Sequence, residues 1–190
     1  MPVETEIKLR LPQGPQRARV LLEQHGFRAT GPRQLETNQL FDLPAGQLRE
    51  SGRLLRLRSA GGRWSLTYKG PRLGGSHKRR EELEAELSDG STLAQILAAL
   101  GYQPSFAYEK FRTTFEASGQ QGIVTLDETP IGDFLELEGP ESWIDQTAAR
   151  LGFGPADYVT SSYGGLYEEY RRIHETDPGS VPCDMKFHLP

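Results

Sequence analysis

The sequence predicts an α+β fold: an eight-stranded antiparallel β-barrel with a charged lumen and helices packed outside. Three observations predict it. A two-residue alternation recurs in about seven or eight segments, and the short connections between them make the strands mostly antiparallel. In each segment the charged residues share one face and the apolar residues the other. Helical stretches with apolar stripes lie between the strands and need a sheet to cover. Covering the apolar strand faces from outside leaves the charged faces opposed across a closed or nearly closed barrel.

The first segment sets Glu4, Glu6, Lys8 and Arg10 against Val3, Ile7, Leu9 and Leu11. Residues 11–15 read as a turn and 16–25 as a short helix ended by Gly26. A strand is expected around residues 34–41, with a less clear pattern. Arg56 and Arg58 then oppose Leu55 and Leu57, and Ser65, Thr67 and Lys69 oppose Trp64, Leu66 and Tyr68. Arg80, Glu82, Glu84 and Glu86 share a side against Leu83, Ala85 and Leu87. Residues 92–100 form a second expected helix, closed by Gly101 and Tyr102. Lys110 and Arg112 oppose Phe111, Thr125 and Asp127 oppose Val124 and Leu126, and Glu136 and Glu138 oppose Leu135 and Leu137. Residues 141–151 form a third helix, closed by Gly152 and Phe153. A helix stopping at Gly before an aromatic is a common capping device, here also a hint of two similar halves. Gly/Pro/Ser-rich breaks at 60–62, 70–76 and 117–122 separate hairpins. Residues 161–175 look helical, although their start also reads as a last barrel strand. The expected barrel domain is 1–175, and 176–190, a Pro- and Gly-containing tail without periodicity, reads as a surface extension.

The 190 residues suffice for one full domain with a core. With 26 acids against 22 bases, the net charge of -4 gives no global pull toward nucleic acid or membrane. Cys183 is the single cysteine, which excludes an internal disulfide and gives no sign of an oxidising compartment. No stretch approaches the ~20 apolar residues of a membrane span, and no signal-peptide core is present. The expectation is a soluble cytoplasmic protein. Trp143 and Tyr170 are candidate contacts for a homodimer, with packing inside the monomer as the plainer reading.

The expected lumen holds Lys8, Arg10, Arg56, Arg58, Lys69, Arg80, Lys110 and Arg112 opposite Glu4, Glu6, Glu82, Glu84, Glu86, Asp127, Glu136 and Glu138. Unpaired buried charges cost several kcal/mol each, so such a lumen is wet and ready for a charged ligand. Carboxylates two apart on a strand offer the hard oxygens that Mg²⁺ or Mn²⁺ prefers. Arginines two apart suit bidentate capture of phosphate oxygens. Eight bases exceed the need of one carboxylate substrate and fit a polyanion such as a triphosphate. Each piece also has a plain reading as a solvated strand face, and Lys78-Arg79-Arg80 as a solvated basic turn. His25 and His77 have no partners at metal-ligand spacing. No phosphate-binding Gly-rich loop and no Gly-x-Ser-x-Gly occurs. Acids interleave with the bases and the aromatics lie on the apolar faces, which argues against a nucleic-acid-binding barrel.

Glu4-Thr5-Glu6-Ile7-Lys8 resembles the E-x-E-x-K signature of the CYTH superfamily, the triphosphate tunnel metalloenzymes. The resemblance covers about residues 2 to 170. It includes, in family order, Leu55-Arg56-Leu57-Arg58, Leu66-Thr67-Tyr68-Lys69-Gly70-Pro71, Arg80-Glu81-Glu82-Leu83-Glu84, Glu109-Lys110-Phe111-Arg112, Leu126-Asp127 and Glu136-Leu137-Glu138. It implies a tunnel that binds a triphosphate with Mg²⁺ or Mn²⁺. By motif match, Lys8, Arg56, Arg58, Lys69 and Arg112 would hold phosphates, with Arg10, Arg80 and Lys110 completing the basic set. Glu4, Glu6, Glu136 and Glu138 would hold the metal or position water, supported by Asp127 and Glu82. The implied catalytic set is Glu4, Glu6, Lys8, Lys69, Glu136 and Glu138. The implied activity is hydrolysis of inorganic triphosphate, a nucleoside triphosphate such as ATP, or thiamine triphosphate. Class IV adenylate cyclase and a non-catalytic polyphosphate-binding module are the alternatives. Many members carry a Lys before the final Ser-Tyr, and in some it helps orient or activate the nucleophile; Thr160-Ser161-Ser162-Tyr163 has none.

Overall fold

The structure is a computed structural model that describes residues 2–119, 121–177 and 179–187. Residues 1, 178 and 188–190 of the two expected parts, and Gln120 of one expected break, lie outside the described residues. Nine strands and five α-helices follow in chain order among them: β1 Val3–Arg10, α1 Gly14–Gln24, β2 Arg28–Ala29, β3 Gln34–Asp42, α2 Gln47–Glu50, β4 Leu54–Ala60, β5 Arg63–Lys69, β6 Lys78–Leu87, α3 Gly90–Ala99, β7 Gln103–Glu116, β8 Ile123–Thr129, β9 Gly132–Glu138, α4 Glu141–Arg150 and α5 Tyr163–His174. Eight strands close into a ring in the order β7-β3-β4-β5-β6-β1-β9-β8, with β8 returning to β7 and every pair antiparallel. The two-residue β2 is an appendage on the end of β7.

Outward faces supply the core. Ile7 and Leu9 of β1, Val124 and Leu126 of β8 and Leu135 and Leu137 of β9 are buried under Ala18 and Leu22 of α1 and Trp143, Ile144 and Ala148 of α4. Trp143 therefore packs within the monomer. On the other flank Phe41, Leu57 and Leu66 meet Leu97 and Leu93 of α3. A third cluster joins Tyr108, Phe134 and Tyr163 to Leu166, Tyr167 and Met185. Burial alone does not alternate along β1, since Glu6 and Lys8 on the inside are as enclosed as Ile7 and Leu9 outside. The chemistry alternates instead. Among the described residues no helix is long and apolar enough to cross a membrane.

The three expected helix stops are one device. Gly26, Gly101 and Gly152 take φ of +84°, +89° and +87°. The next amide, of Phe27, Tyr102 or Phe153, donates back to Leu22, Leu97 or Ala148 at 2.9–3.0 Å. Two helices start earlier than expected, the third starts at Glu141 as expected, and α5 starts two residues later, at Tyr163. α1 begins at Gly14 because Pro15 suits a first helical turn. α3 begins at Gly90 because Asp89 Oδ1 accepts from the amides of Ser91 at 2.9 Å and Thr92 at 3.2 Å. The segment before α5 makes only a bridge, Val159 with Lys8, so the last-strand reading shrinks to one residue. α2 and β2 have too few residues to show a period. The weak pattern of β3 has a cause: polar residues occupy both of its faces, with Glu36 and Asn38 buried, Thr37 exposed and Gln39 half-buried.

The tail is docked. Met185 donates to Ala107 O at 3.0 Å, Glu109 N donates to Met185 O at 2.8 Å, and Met185 is fully buried. Tyr167 OH donates to the carbonyls of Pro182 at 2.9 Å and Asp184 at 3.1 Å. Pairing of β7 to β8 covers only Phe111–Phe115, so the tail occupies the edge that β8 leaves open.

Candidate functional site

Register brings the charges together. Within the ring Glu4 stands opposite Arg80, Glu6 opposite Lys78 on one side and Glu138 on the other, and Lys8 opposite Glu136. Lys69 faces Glu82, and Arg112 faces Asp127. The result is a cavity of about 430 Å³ lined by eight bases and six acids. The bases are Lys8, Arg56, Arg58, Lys69, Lys78, Arg80, Lys110 and Arg112; the acids are Glu4, Glu6, Glu82, Glu84, Glu136 and Glu138. Tyr108, Ser162 and Tyr163 complete one wall.

The floor is rigidly paired. Asp127, fully buried, accepts from Lys110 Nζ at 2.8 Å, from Arg112 Nε and Nη2 at 2.7 and 2.6 Å, and from Tyr163 OH at 2.7 Å. Burial and the Asp127 charge push the Tyr163 hydroxyl well above its usual range, so it remains a donor. Lys8 Nζ lies 3.0 Å from Glu136 Oε1 and 3.1 Å from Glu6 Oε1, and sits 5.0 Å over the Tyr163 ring. Arg112 also pairs with Glu136. Burial opposes ionisation of Glu136, but Lys8, Arg112 and Lys110 outweigh it and hold the carboxyl well below its usual range.

Toward the mouth the acids are less well neutralised. Burial, a hydrogen bond with Glu82 and the Glu6 charge push Glu4 up to about 8, although Lys69 pairs with it. Burial, then Glu6 and Glu136, raise Glu138 as well. Glu6 is held well below the usual range because Lys78 and Lys8 overcome its burial. Burial pushes the Lys78 ammonium down to about 8 against the pull of Glu6. On the basic side Arg56 Nη2 donates to Thr67 Oγ1 at 3.0 Å, and Arg58 Nε to Asn38 Oδ1 at 2.9 Å. Arg56 Nε and Arg80 Nε are enclosed donors with no acceptor among the described residues. Guanidinium N–H groups held this way are ready for anionic oxygens.

Of the expected site residues, Arg10 is not brought in. It is exposed, its guanidinium lies 5.0 Å from the Phe134 ring, and it lines a separate cavity with Leu166, Tyr170 and Ile173. Asp127 does not line the cavity and is engaged with four donors from Lys110, Arg112 and Tyr163. Glu86 is exposed beyond the charged stretch. Sequence reasoning missed Lys78, Tyr108, Glu36 and Tyr163. The first two carried a signal: one more two-residue step from Arg80 or Lys110 reaches them. Glu36, buried beside Lys110 and Arg58 at 3.5 Å each, was hidden because Thr37 and Gln39 on the other face of β3 are polar as well.

Four carboxylates, Glu4, Glu6, Glu136 and Glu138, offer oxygens of the kind a hard divalent cation takes, and burial together with the neighbouring acids raises Glu4 and Glu138. Among the described residues no three His, Cys, Asp or Glu side chains converge at coordination distance. The reason is local: Glu4, Glu6 and Glu136 are each turned to an internal lysine or arginine. The donor chemistry fits; coordination requires these side chains to exchange partners.

Comparison with known proteins agrees with this architecture. A Methanocaldococcus jannaschii protein, provisionally named an adenylate cyclase, is 33% identical over 98 residues, 52% of this chain and 55% of its own length. The match thus spans about half of that curated relative. A Vibrio parahaemolyticus structure, also provisionally described as an adenylate cyclase, superposes with a TM-score of 0.76 at 20% identity, covering 87% of this chain and 97% of that one. A Hippeastrum structure, described as an adenylyl cyclase candidate with a dominant triphosphatase activity, gives 0.65 at 16% identity over 90% and 96%. At those identities the two structures speak for the fold alone. The CYTH domain model matches residues 2–153, and with the closed, charge-lined barrel around them the chain belongs to the CYTH domain family.

Proposed function

We propose that this protein hydrolyses the terminal phosphoanhydride of a triphosphate with the help of a divalent cation. The observation that carries the reading is the cavity itself: eight bases on an enclosed wall, with the unpartnered Nε donors of Arg56 and Arg80 among them. Guanidinium contacts from Arg56, Arg58 and Arg80, with positive charge from Arg112, Lys8, Lys69 and Lys110, hold the phosphate tail and neutralise charge that grows in the transition state. Glu4, Glu6 and Glu136 would hold Mg²⁺ or Mn²⁺, which when bound supplies further neutralisation and polarises a phosphoryl oxygen, leaving Glu138 for the water. Glu138, made more basic by burial and by Glu6, orients a water in line with the terminal phosphorus and takes its proton. The new P–O bond forms as the terminal anhydride breaks, and diphosphate or a nucleoside diphosphate leaves. Asp127 and Tyr163 keep Lys110 and Arg112 aimed inward.

A second reading is cyclisation of ATP, favoured by the match to the M. jannaschii relative. The same clamp would hold ATP, the ribose 3'-hydroxyl would attack the α-phosphorus, and diphosphate would leave. Incubation with tripolyphosphate or ATP and Mg²⁺ or Mn²⁺, followed by product analysis, separates them. Orthophosphate from tripolyphosphate is expected; cyclic AMP with diphosphate as the main products would sink hydrolysis. Glu6→Gln is expected to lower turnover by at least ~100-fold, and full activity in that variant would refute its place in the site.

A further inference from the structure

We infer that Lys78 is an internal counter-ion whose exchange between Glu6 and a bound polyanion couples cation binding to phosphate binding. The inference rests on the functional reading above and extends it to regulation of the same site. Four lysines meet the acidic wall, and they are not equivalent: Lys110 is fixed by Asp127 and Glu36. Lys8 is fixed by Glu6, Glu136 and the Tyr163 ring, and Lys69 by Glu4 and Glu82. Lys78 has one acidic partner among the described residues: its Nζ lies 2.5 Å from Glu6 Oε1.

The position favours movement. Lys78 is the first residue of β6, directly after a Gly- and Ser-containing connection, and its side chain lines the cavity. Glu6 Oε1 already carries Lys8 at 3.1 Å, so that single oxygen faces two ammonium groups. A divalent cation approaching Glu6 meets both positive charges, and the repulsion lowers its affinity. Lys78 is the one that can leave, because a long flexible side chain with a single partner loses least. Once turned into the cavity it meets phosphate oxygens. Each ligand thereby favours the other, and the coupling is reciprocal.

The test measures binding rather than turnover. Mn²⁺ alone is titrated by the loss of its free electron-spin resonance signal, and tripolyphosphate alone by calorimetry in a metal chelator. Wild type, Lys78→Met and Lys78→Arg are compared. Lys78→Met is expected to bind Mn²⁺ alone roughly tenfold tighter and tripolyphosphate alone roughly tenfold more weakly. Lys78→Arg, which keeps the charge, is expected to track wild type for both. Thermal unfolding checks each variant, and Lys78→Gln is read in place of Lys78→Met if the latter does not fold. Unchanged or weaker Mn²⁺ binding in the neutral variant overturns the Lys78 assignment while leaving the functional reading intact. Wild-type protein that binds neither probe overturns both.

Discussion

A carboxylate enclosed among cations contributes to stability only while it is ionised, and Glu36 is such a group. Burial opposes its ionisation, but Lys110, Arg112 and Arg58 overcome that and bring its pKa from 4.5 to about 2. The folded value lies below the unfolded one, so its contribution is complete above about pH 4.5 and is lost as pH falls toward 2. Glu36→Gln is expected to be less stable than wild type at neutral pH by roughly 2 kcal/mol. That gap should close across the acid range when urea unfolding is followed at successive pH values. A constant gap would show that the charge of Glu36 is not what matters. At this scale the sequence was legible wherever parity held. Glu4, Glu6, Lys8, Arg56, Arg58, Lys69, Glu136 and Glu138 all reach the cavity their spacing implied. Arg10 keeps the parity but lies past the floor made by Phe134 and Tyr163, and alternation says nothing of where along a strand a lumen ends.

Whole elements were legible where a period had room to repeat. The helix ends at Gly26, Gly101 and Gly152 were legible because left-handed backbone selects glycine, whereas α2, at four residues, is shorter than two turns. Side-chain fit between elements left no trace in the sequence. Gly90, the first residue of α3, lies against the Trp64 ring so closely that a Cβ there would overlap it. Gly90→Ala is therefore expected to push α3 away from β5 and destabilise the fold by about 1–3 kcal/mol, even though alanine is the better helix former. Chemical denaturation measures this. Wild-type or greater stability would mean that Trp64 moves aside without cost.

At the scale of the molecule, the closed ring was legible from the number of strands and their short connections, but the seam was not. β7 outruns β8, and the remaining edge is taken by the tail, whose only sequence signal is one methionine. A chain ending at Ser180 should leave that edge and the Met185 pocket open, lowering the thermal midpoint by at least ~5 °C and promoting self-association through the bare strand. An unchanged midpoint would make the tail a passive appendage. The ring order has one more consequence, for the timing of assembly. β1 lies between β6 and β9, so a chain growing from its N-terminus can pair its first strand with β6 early but leaves the other edge of that strand open until β9, from Gly132 onward, has been made. Glu4 and Glu6 meet Glu136 and Glu138 only at that moment. Folding must complete the distant pairing of β1 with β9 before the acidic wall is whole, a slow step where pairings are far apart in sequence. Truncated or half-folded chains therefore cannot assemble this site, and occupancy of the wall would report a finished barrel.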